Sequence, residues 1–405
     1  MNKLNQKIPE EWSFLEFNKI ATLRKNKYTP TIDEHLKCLE LEHFEKGTGC
    51  LNGYIDSAQQ SSTKNVFKSG DVLFGKLRPY LKKFNRPNFD GVCSTEIWVL
   101  NGLNTCKNSY LYLLIQTNKF SNICNVATGT HMPRADWNFV ESIPFLLPPL
   151  AEQEKIAEIL SVWDEAIEKL SGLIEQKKLL KKGLMQKLLT GKTRLSGFTQ
   201  PWKTVKLGEI GKTYTGLSGK NSSDFGSGFP FITYMNIYLN NQIKNDQFEF
   251  VNIKENENQN AVKYGDIFFT TSSETPDEVG FASVLLFNPE VNTYLNSFCF
   301  GFRLNDFETL LPEFASFYFR SEDVRKIMLK LAQGATRFNL SKNELMKEKI
   351  TIPSDITEQK AIADILQSCD LEIEKLKTKL DLLKLQKKGL MQQLLTGKIR
   401  VKVDK

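Results

Sequence analysis

The stretch KKGLMQKLLTGKTR, Lys181–Arg194, has a near-copy in KKGLMQQLLTGKIR, Lys387–Arg400. Its Gly-Lys-Thr is the tripeptide that closes the phosphate-cradling loop of many nucleotide hydrolases. That loop needs a first glycine five residues before Gly191, where this chain has Gln186. It also follows a strand, whereas Leu184, Met185, Leu188 and Leu189 read as the end of an amphipathic helix. In the copy the threonine has become Ile399, which has no hydroxyl for a magnesium ion. What repeats is a helix terminus: a glycine just past the last turn, with lysines near the negative helix end.

The repeat extends upstream. EQEKIAEIL (Glu152–Leu160) matches EQKAIADIL (Glu358–Leu366) at the same offset of 206 that separates Gly191 from Gly397. About forty residues therefore repeat without a gap, enough helix for about 60 Å. Apolar residues recur at alternating spacings of three and four. The first copy gives Ile156, Leu160, Trp163, Ile167, Leu170 and Ile174, then Leu184 and Leu188. The second gives Ile362, Leu366, Cys369, Ile373, Leu376, Leu380, Leu383, Leu390 and Leu394. This is a heptad seam, and a helix with one apolar stripe needs a partner. Each copy is the obvious partner of the other, in a direction that the heptads alone do not fix. Lys177, Lys181 and Lys387 interrupt the seam, which implies either looser pairing there or a face for another subunit. Lys177, Lys178, Lys181, Lys182 and Lys187 have no acid between Glu175 and Glu209. They read as a solvated face, with DNA backbone or a partner subunit as the alternative.

A globular segment of about 150 residues precedes each helix. KSGDVLF (Lys68–Phe74) matches KYGDIFF (Lys263–Phe269), a turn followed by a strand. Asn108–Gly129 matches Leu311–Gly334, each read as one helix that ends at glycine. PEEW (Pro9–Trp12) and TQPW (Thr199–Trp202) open the two segments. Between these landmarks short Val/Ile/Phe/Tyr runs alternate with Asn, Gly and Ser, a pattern of short strands and long loops. The expected fold is α+β, with domains at 1–147 and 193–352 and long helices at 148–192 and 353–405.

The 405 residues carry 40% hydrophobic and 25% charged side chains, which suits a globular protein with cores of ordinary size. The net charge of +7 permits nucleic-acid binding without requiring it. No run reaches the roughly 18–20 apolar residues of a membrane span, and SIPFLLPPLA (Ser142–Ala151) is short and broken by prolines. The N-terminus lacks a signal-type apolar core. Seven cysteines without a C-x-x-C pair point to reduced thiols and a cytoplasmic location. His35 and His43 lie in a polar stretch and read as surface histidines.

LPPLAEQEKIAEIL (Leu147–Leu160), IPSDITEQKAIADIL (Ile352–Leu366) and the two KKGLMQ-LLTGK endings together resemble the specificity subunits of type I restriction–modification systems, over nearly the whole chain. The resemblance implies two target-recognition domains, each reading half of a bipartite double-stranded DNA site. It implies two long helices packed antiparallel as a spacer, in a pseudo-twofold arrangement, that also dock modification subunits, two of them. S-adenosylmethionine, ATP and magnesium would belong to the modification subunits and to restriction subunits joined through them. None would be bound by this chain.

Catalytic motifs are missing. LPPL (Leu147–Leu150) lacks the Asn/Asp and aromatic residue that flank the prolines of an amino-methyltransferase loop. No G-x-G-x-x-G follows a strand. PDEVG (Pro276–Gly280) with Glu358–Lys360 resembles a nuclease pattern only by placing its glutamate on the long helix. The expectation is a non-catalytic chain. The alternative from another class is a protein scaffold with two binding globules on a rod.

Base reading needs side chains that hydrogen-bond base edges, and cations for phosphates. GKLRPYLKKFNRPN (Gly75–Asn88) supplies Lys76, Arg78, Lys82, Lys83 and Arg86, interleaved with Tyr80 and Phe84. Its competing reading is a solvated hairpin. GTHMPRADW (Gly129–Trp137) supplies Thr130, His131 and Arg134. GATRFNLSKN (Gly334–Asn343), at the corresponding place, supplies Thr336, Arg337 and Asn339. TTSSE (Thr270–Glu274) supplies Thr271 and Ser272, and YTGLSGKN (Tyr214–Asn221) supplies Lys220 and Asn221.

Overall fold

The computed structural model describes residues 8–126, 132–334 and 336–403. Thr130 and His131 lie outside the described residues. The chain divides into two compact units, Met1–Gly172 with Lys377–Lys405, and Leu173–Leu376. The division differs from the four sequence segments because each unit takes in part of both long helices.

In the first unit the opening strand Ser13–Glu16 pairs antiparallel with Pro144–Leu147. A four-stranded sheet runs in the order Ala21–Leu23, Ile97–Gly102, Val72–Gly75, Phe84–Asn85. A five-stranded sheet runs Lys27–Tyr28, Lys64–Phe67, Gly91–Ser94, Lys37–Leu39, Ile55–Asp56. Helices α1 (Asn108–Leu114), α2 (Asn118–Cys124) and α3 (Trp137–Glu141) pack Tyr110, Phe120 and Val140 into one core with Phe17, Phe74 and Phe145. The long helix α4 (Leu150–Leu188) adds Ile156 and Leu160 to that core.

In the second unit Trp202–Lys206 pairs antiparallel with Lys349–Pro353. The four-stranded sheet runs Gly211–Thr215, Cys299–Leu304, Ile267–Thr270, Ala282–Val284. Two three-stranded sheets complete the unit, one built on the ribbon Phe225–Ile232 with Phe248–Val251 and Tyr294–Leu295, the other on Phe338–Leu340 with Ser272–Ser273 and Ala332–Gln333. Short helices α5 (Leu207–Ile210) and α6 (Tyr234–Leu239) lie ahead of α7 (Pro312–Tyr318) and α8 (Glu322–Leu331). Helix α9 (Lys342–Leu345) then precedes the second long helix, α10 (Ile356–Leu394).

The single helix expected after each four-stranded sheet is two helices in both units. Thr117 accepts from the Phe120 N–H and Ser321 from the Val324 N–H, so each hydroxyl caps a new helix. A capping hydroxyl satisfies an otherwise unpaired first-turn N–H, which favours a restart over continuation.

The repeated words of the sequence are fasteners within each unit. Asp71 and Asp266, both buried, close the Gly-Asp turns by accepting from the N–H of Lys68 and Lys263. Arg24 and Arg303 hold the same carboxylates bidentately. Gln153 donates to the carbonyls of Pro148 and Thr105 at 2.9 Å and accepts from the Lys107 N–H. Gln359 does the same with Pro353, Thr309 and the Leu311 N–H. The buried carboxylate of Glu152 takes Arg400 at 2.8 Å and the Trp12 indole N–H at 2.9 Å. Glu358 takes Arg194 at 2.6 and 2.8 Å. Both arginines come from the repeated helix ending. Arg194 also donates to the Gln200 carbonyl, and Arg400 to that of Glu10. Gly191 and Gly397 adopt φ of 70° and 68°, the left-handed conformation that ends a helix. Thr193 and Ile399 then donate back to the carbonyls of Lys187 and Gln393. The Gly-Lys-Thr is a helix cap.

The seam lysines are paired. In the second unit Lys181 meets Asp370 at 2.5 Å and Lys177 meets Glu372 at 2.7 Å. In the first, Lys387 meets Asp164 at 2.5 Å. The partners run in opposite directions, so within each unit the two helix segments pack antiparallel. The Lys181–Asp370 and Lys387–Asp164 pairs repeat at the offset of 206. The expected loosening at these lysines is replaced by half-buried ion pairs, and Lys178 and Lys182 meet Glu175 and Glu322. Among the seam residues, Ile156, Leu160, Ile167, Leu170, Ile174, Leu188, Ile362, Leu366, Ile373 and Leu394 are buried. Trp163, Leu184, Cys369, Leu376, Leu380, Leu383 and Leu390 are half-buried.

Candidate nucleic-acid interface

In both units the strand after the Gly-Asp turn runs past the sheet and meets the loop that follows the second helix. In the first unit the Lys76 N–H donates to Glu96, the Ala135 N–H donates to Lys76, and Leu77 forms a bridge with Arg134. In the second, the Thr271 N–H donates to Phe298, the Leu340 N–H donates to Thr271, and Ser272 pairs with Asn339. The same backbone lock thus carries different side chains. Candidate stretches far apart in sequence converge in each unit: Gly75–Arg78 with the segment around Arg134, and Thr270–Ser273 with Arg337–Leu340.

The first rim is cationic. The hairpin Val72–Gly75 with Phe84–Asn85 has a single 3-10 turn at its tip, Pro79–Leu81. Arg78 and Lys82 flank that turn with φ of 50° and 49°. A left-handed conformation costs a non-glycine residue roughly 1–2 kcal/mol. Here it is held by the Arg78 N–H donating to Pro133 and by the Lys82 carbonyl accepting from Gly47. Strain retained in this way is characteristic of functional loops. Arg78 and Arg86 are exposed and Lys76 is half-buried, and none has a side-chain hydrogen-bond or ion-pair partner among the described residues. Arg134 is half exposed and held by Glu96 at 3.0 Å. Lys82 reaches Asn118 at 3.3 Å. Lys83 turns inward onto the Leu41 carbonyl at 2.6 Å, and burial lowers its pKa, so it fastens the hairpin.

The second rim is polar, and its Arg337 has no side-chain hydrogen-bond or ion-pair partner among the described residues. Arg337, Thr336 and Asn339 are exposed, and Thr271 and Ser272 are half-buried beside them. The Asn339 amide donates to the Arg337 carbonyl at 3.3 Å. Phe298, 56% exposed, stands where the first unit has Glu96. Lys220 and Asn221 are not at this rim. The Lys220 ammonium is buried against Glu257 and the Asn252 carbonyl, and Asn221 caps the turn Ser222–Asp224. Both are engaged in local structure.

His43 is buried rather than on the surface, because its Nδ1 accepts from the Glu40 N–H at 2.8 Å and so helps cap a turn. His35 is exposed beside Asp56. Among the described residues no group of His, Cys, Asp and Glu could hold a metal ion, and no helix is long and apolar enough to cross a membrane. Sequence reading missed Glu152, Glu358, Gln153, Gln359, Asp164 and Asp370. Their recurrence at an offset of 206, matched by that of Arg194 and Arg400, was the available signal.

This is a duplicated α+β frame with variable rims. A model of the type I restriction modification DNA specificity domain matches it twice, over residues 9–177 and 199–385. The chain belongs to that family. It is 25% identical to the type I restriction enzyme MjaVIII specificity subunit of Methanocaldococcus jannaschii, across 98% of this chain and 95% of that one. It is 30% identical over 174 residues to the EcoDI specificity subunit of Escherichia coli, a match limited to 42% of this chain and 39% of the relative. Its fold is shared with the S subunit of a type I restriction-modification system from M. genitalium, at TM-score 0.57 and 18% identity, over 97% and 98% of the two chains. It is also shared with a chain from a study of complex assembly and conformational transition in a type I R-M system, at TM-score 0.58 and 19% identity, over 97% and 100%. Specificity subunit, rather than enzyme, is the role this family carries.

Proposed function

We propose that this chain gives a type I restriction–modification complex its DNA target, and that each unit's rim reads one half of a bipartite double-stranded site. The observation that carries the reading is the repeated backbone lock. It presents Lys76, Arg78 and Arg134 in one unit, and Thr271, Ser272, Arg337 and Asn339 in the other. Side chains of these types make the hydrogen bonds that distinguish bases in the major groove. Lys82 and Arg86 serve the phosphates, where cations position without specifying. The long helices set the unread gap and dock two modification subunits, through which restriction subunits join. S-adenosylmethionine, ATP and magnesium are bound by those partner subunits, and the complex works in the cytoplasm. This chain alone transfers no methyl group and cuts no DNA.

The purified chain, alone and with modification subunits, is assayed for methyl transfer to DNA. Transfer only in the complex, at a two-block target, supports the reading. Transfer by the chain alone contradicts it. Affinity that falls steeply with salt separates DNA binding from a protein-scaffold role.

A further inference from the structure

Each unit contains a crevice between its globule and its helix pair, of about 640 Å³ in the first unit and about 590 Å³ in the second. Part of the two linings is equivalent. Lys388, Met391 and Gln392 line one where Lys182, Met185 and Gln186 line the other, and Asn118 stands where the second unit has Glu322. That exchange changes the chemistry. In the second unit the Glu322 carboxylate accepts from Gln186 Nε2 at 2.8 Å and lies 3.7 Å from Lys182 Nζ. The seat between lysine and glutamine is occupied from within. In the first unit Asn118 has no charge to offer, and its side-chain oxygen accepts from Lys82. Lys384 and Lys388 have no ion-pair partner among the described residues. Lys387 is held by Asp164, and Lys119 by the Pro144 carbonyl.

The floors differ as well. Phe14, Phe84, Phe145, Leu146, Met391 and Leu395 line the first crevice, and Phe14 is 52% exposed there. Among the described residues Met185 is the only large apolar side chain lining the second. Lys187 and Lys192 keep the second crevice positive beyond the occupied seat, without an apolar floor beside them.

We propose that the first unit's crevice docks an acidic segment of a partner protein. A carboxylate sits between Lys388 and Gln392, a second meets Lys384, and an apolar side chain lies on the floor by Phe14. Glu322 supplies the first of these carboxylates internally in the second unit, so each chain has one such site. A nucleic-acid backbone would satisfy the lysines and leave the apolar floor empty, which is why a peptide is favoured. The proposal does not depend on which DNA the rims read.

The test uses the full chain and a short fluorescent peptide of Glu, Leu and Phe, followed by anisotropy. Saturable binding at one site per chain is expected. Asn118→Glu copies the second unit's residue into an exposed helical position and should weaken binding roughly tenfold, the equivalent of one charge-assisted contact. Lys388→Glu should weaken it at least as much. Both are surface changes, and an unaltered melting curve confirms folding. Replacing Leu and Phe in the peptide with Ser should also weaken binding. No saturable binding, two equal sites, or equal affinity for Asn118→Glu would overturn the proposal. So would full displacement of the peptide by a duplex oligonucleotide from a chain whose rim carries Arg78→Ala and Arg337→Ala.

Discussion

The two units share a frame and differ at their rims. The Gly-Asp turn, the Gln153 and Gln359 latches, the Glu–Arg pairs and the Lys–Asp pairs recur at equivalent places. At the backbone lock, Leu77, Arg78 and Arg134 face Ser272, Ser273 and Asn339 as counterparts, with neither charge nor size retained. The sheet beyond the lock differs in strand number. Buried polar fasteners tolerate little change, because losing one partner leaves the other desolvated and unpaired. An exposed rim has no such constraint. The frame therefore stays fixed while the surface it presents diverges.

The largest effects should come from the frame. Leu170→Asp puts a charge at a buried seam position of the first unit, and should cost several kcal/mol. Leu376→Asp, at a half-buried seam position of the second, should cost less. Urea melts of the two variants rank them, and the reverse order would show that the seam assignment is wrong. Glu358→Ala strands Arg194 and should cost about 3 kcal/mol, the low end for a broken buried pair because the arginine is partly exposed. Glu152→Ala should cost more, since it also frees the Trp12 indole N–H. Equal melting shifts would mean that the tryptophan contact contributes nothing.

Smaller effects should follow at the seam lysines. Lys181→Ala and Lys387→Ala each remove a half-buried ion pair and should cost about 1 kcal/mol, with similar values in the two units. The exchange Lys181→Asp with Asp370→Lys should recover most of the loss from Lys181→Asp alone. No recovery would mean that the pair is incidental to the packing.

The long helices and their apolar stripes were legible because a heptad pattern is local and appeared twice. The polar partners were not, since Lys181 finds Asp370 across 189 residues and Arg400 finds Glu152 across 248. The helix split at Thr117 and Ser321 was hidden inside an apolar pattern that runs through both pieces. At the rims, residue type identified the segments that converge, but not which side chains stay free. Lys83 and Lys220 look like Lys76 in sequence, and only the fold turns them onto Leu41 and Glu257. The equivalence of the Arg134 and Arg337–Asn339 segments was visible from their place after matching helices.

The proposed function requires one frame to carry two independent readers. The direct measurement is the methylation profile of the assembled complex over a library of randomised targets, for the parent chain, Arg78→Ala and Arg337→Ala. Each variant should lose about 1–3 kcal/mol of discrimination, the value of a good bidentate base contact. Arg78→Ala should relax one block of the target and Arg337→Ala the other, with the gap unchanged. If both variants altered the same block, or both blocks together, the two rims would not be separate readers.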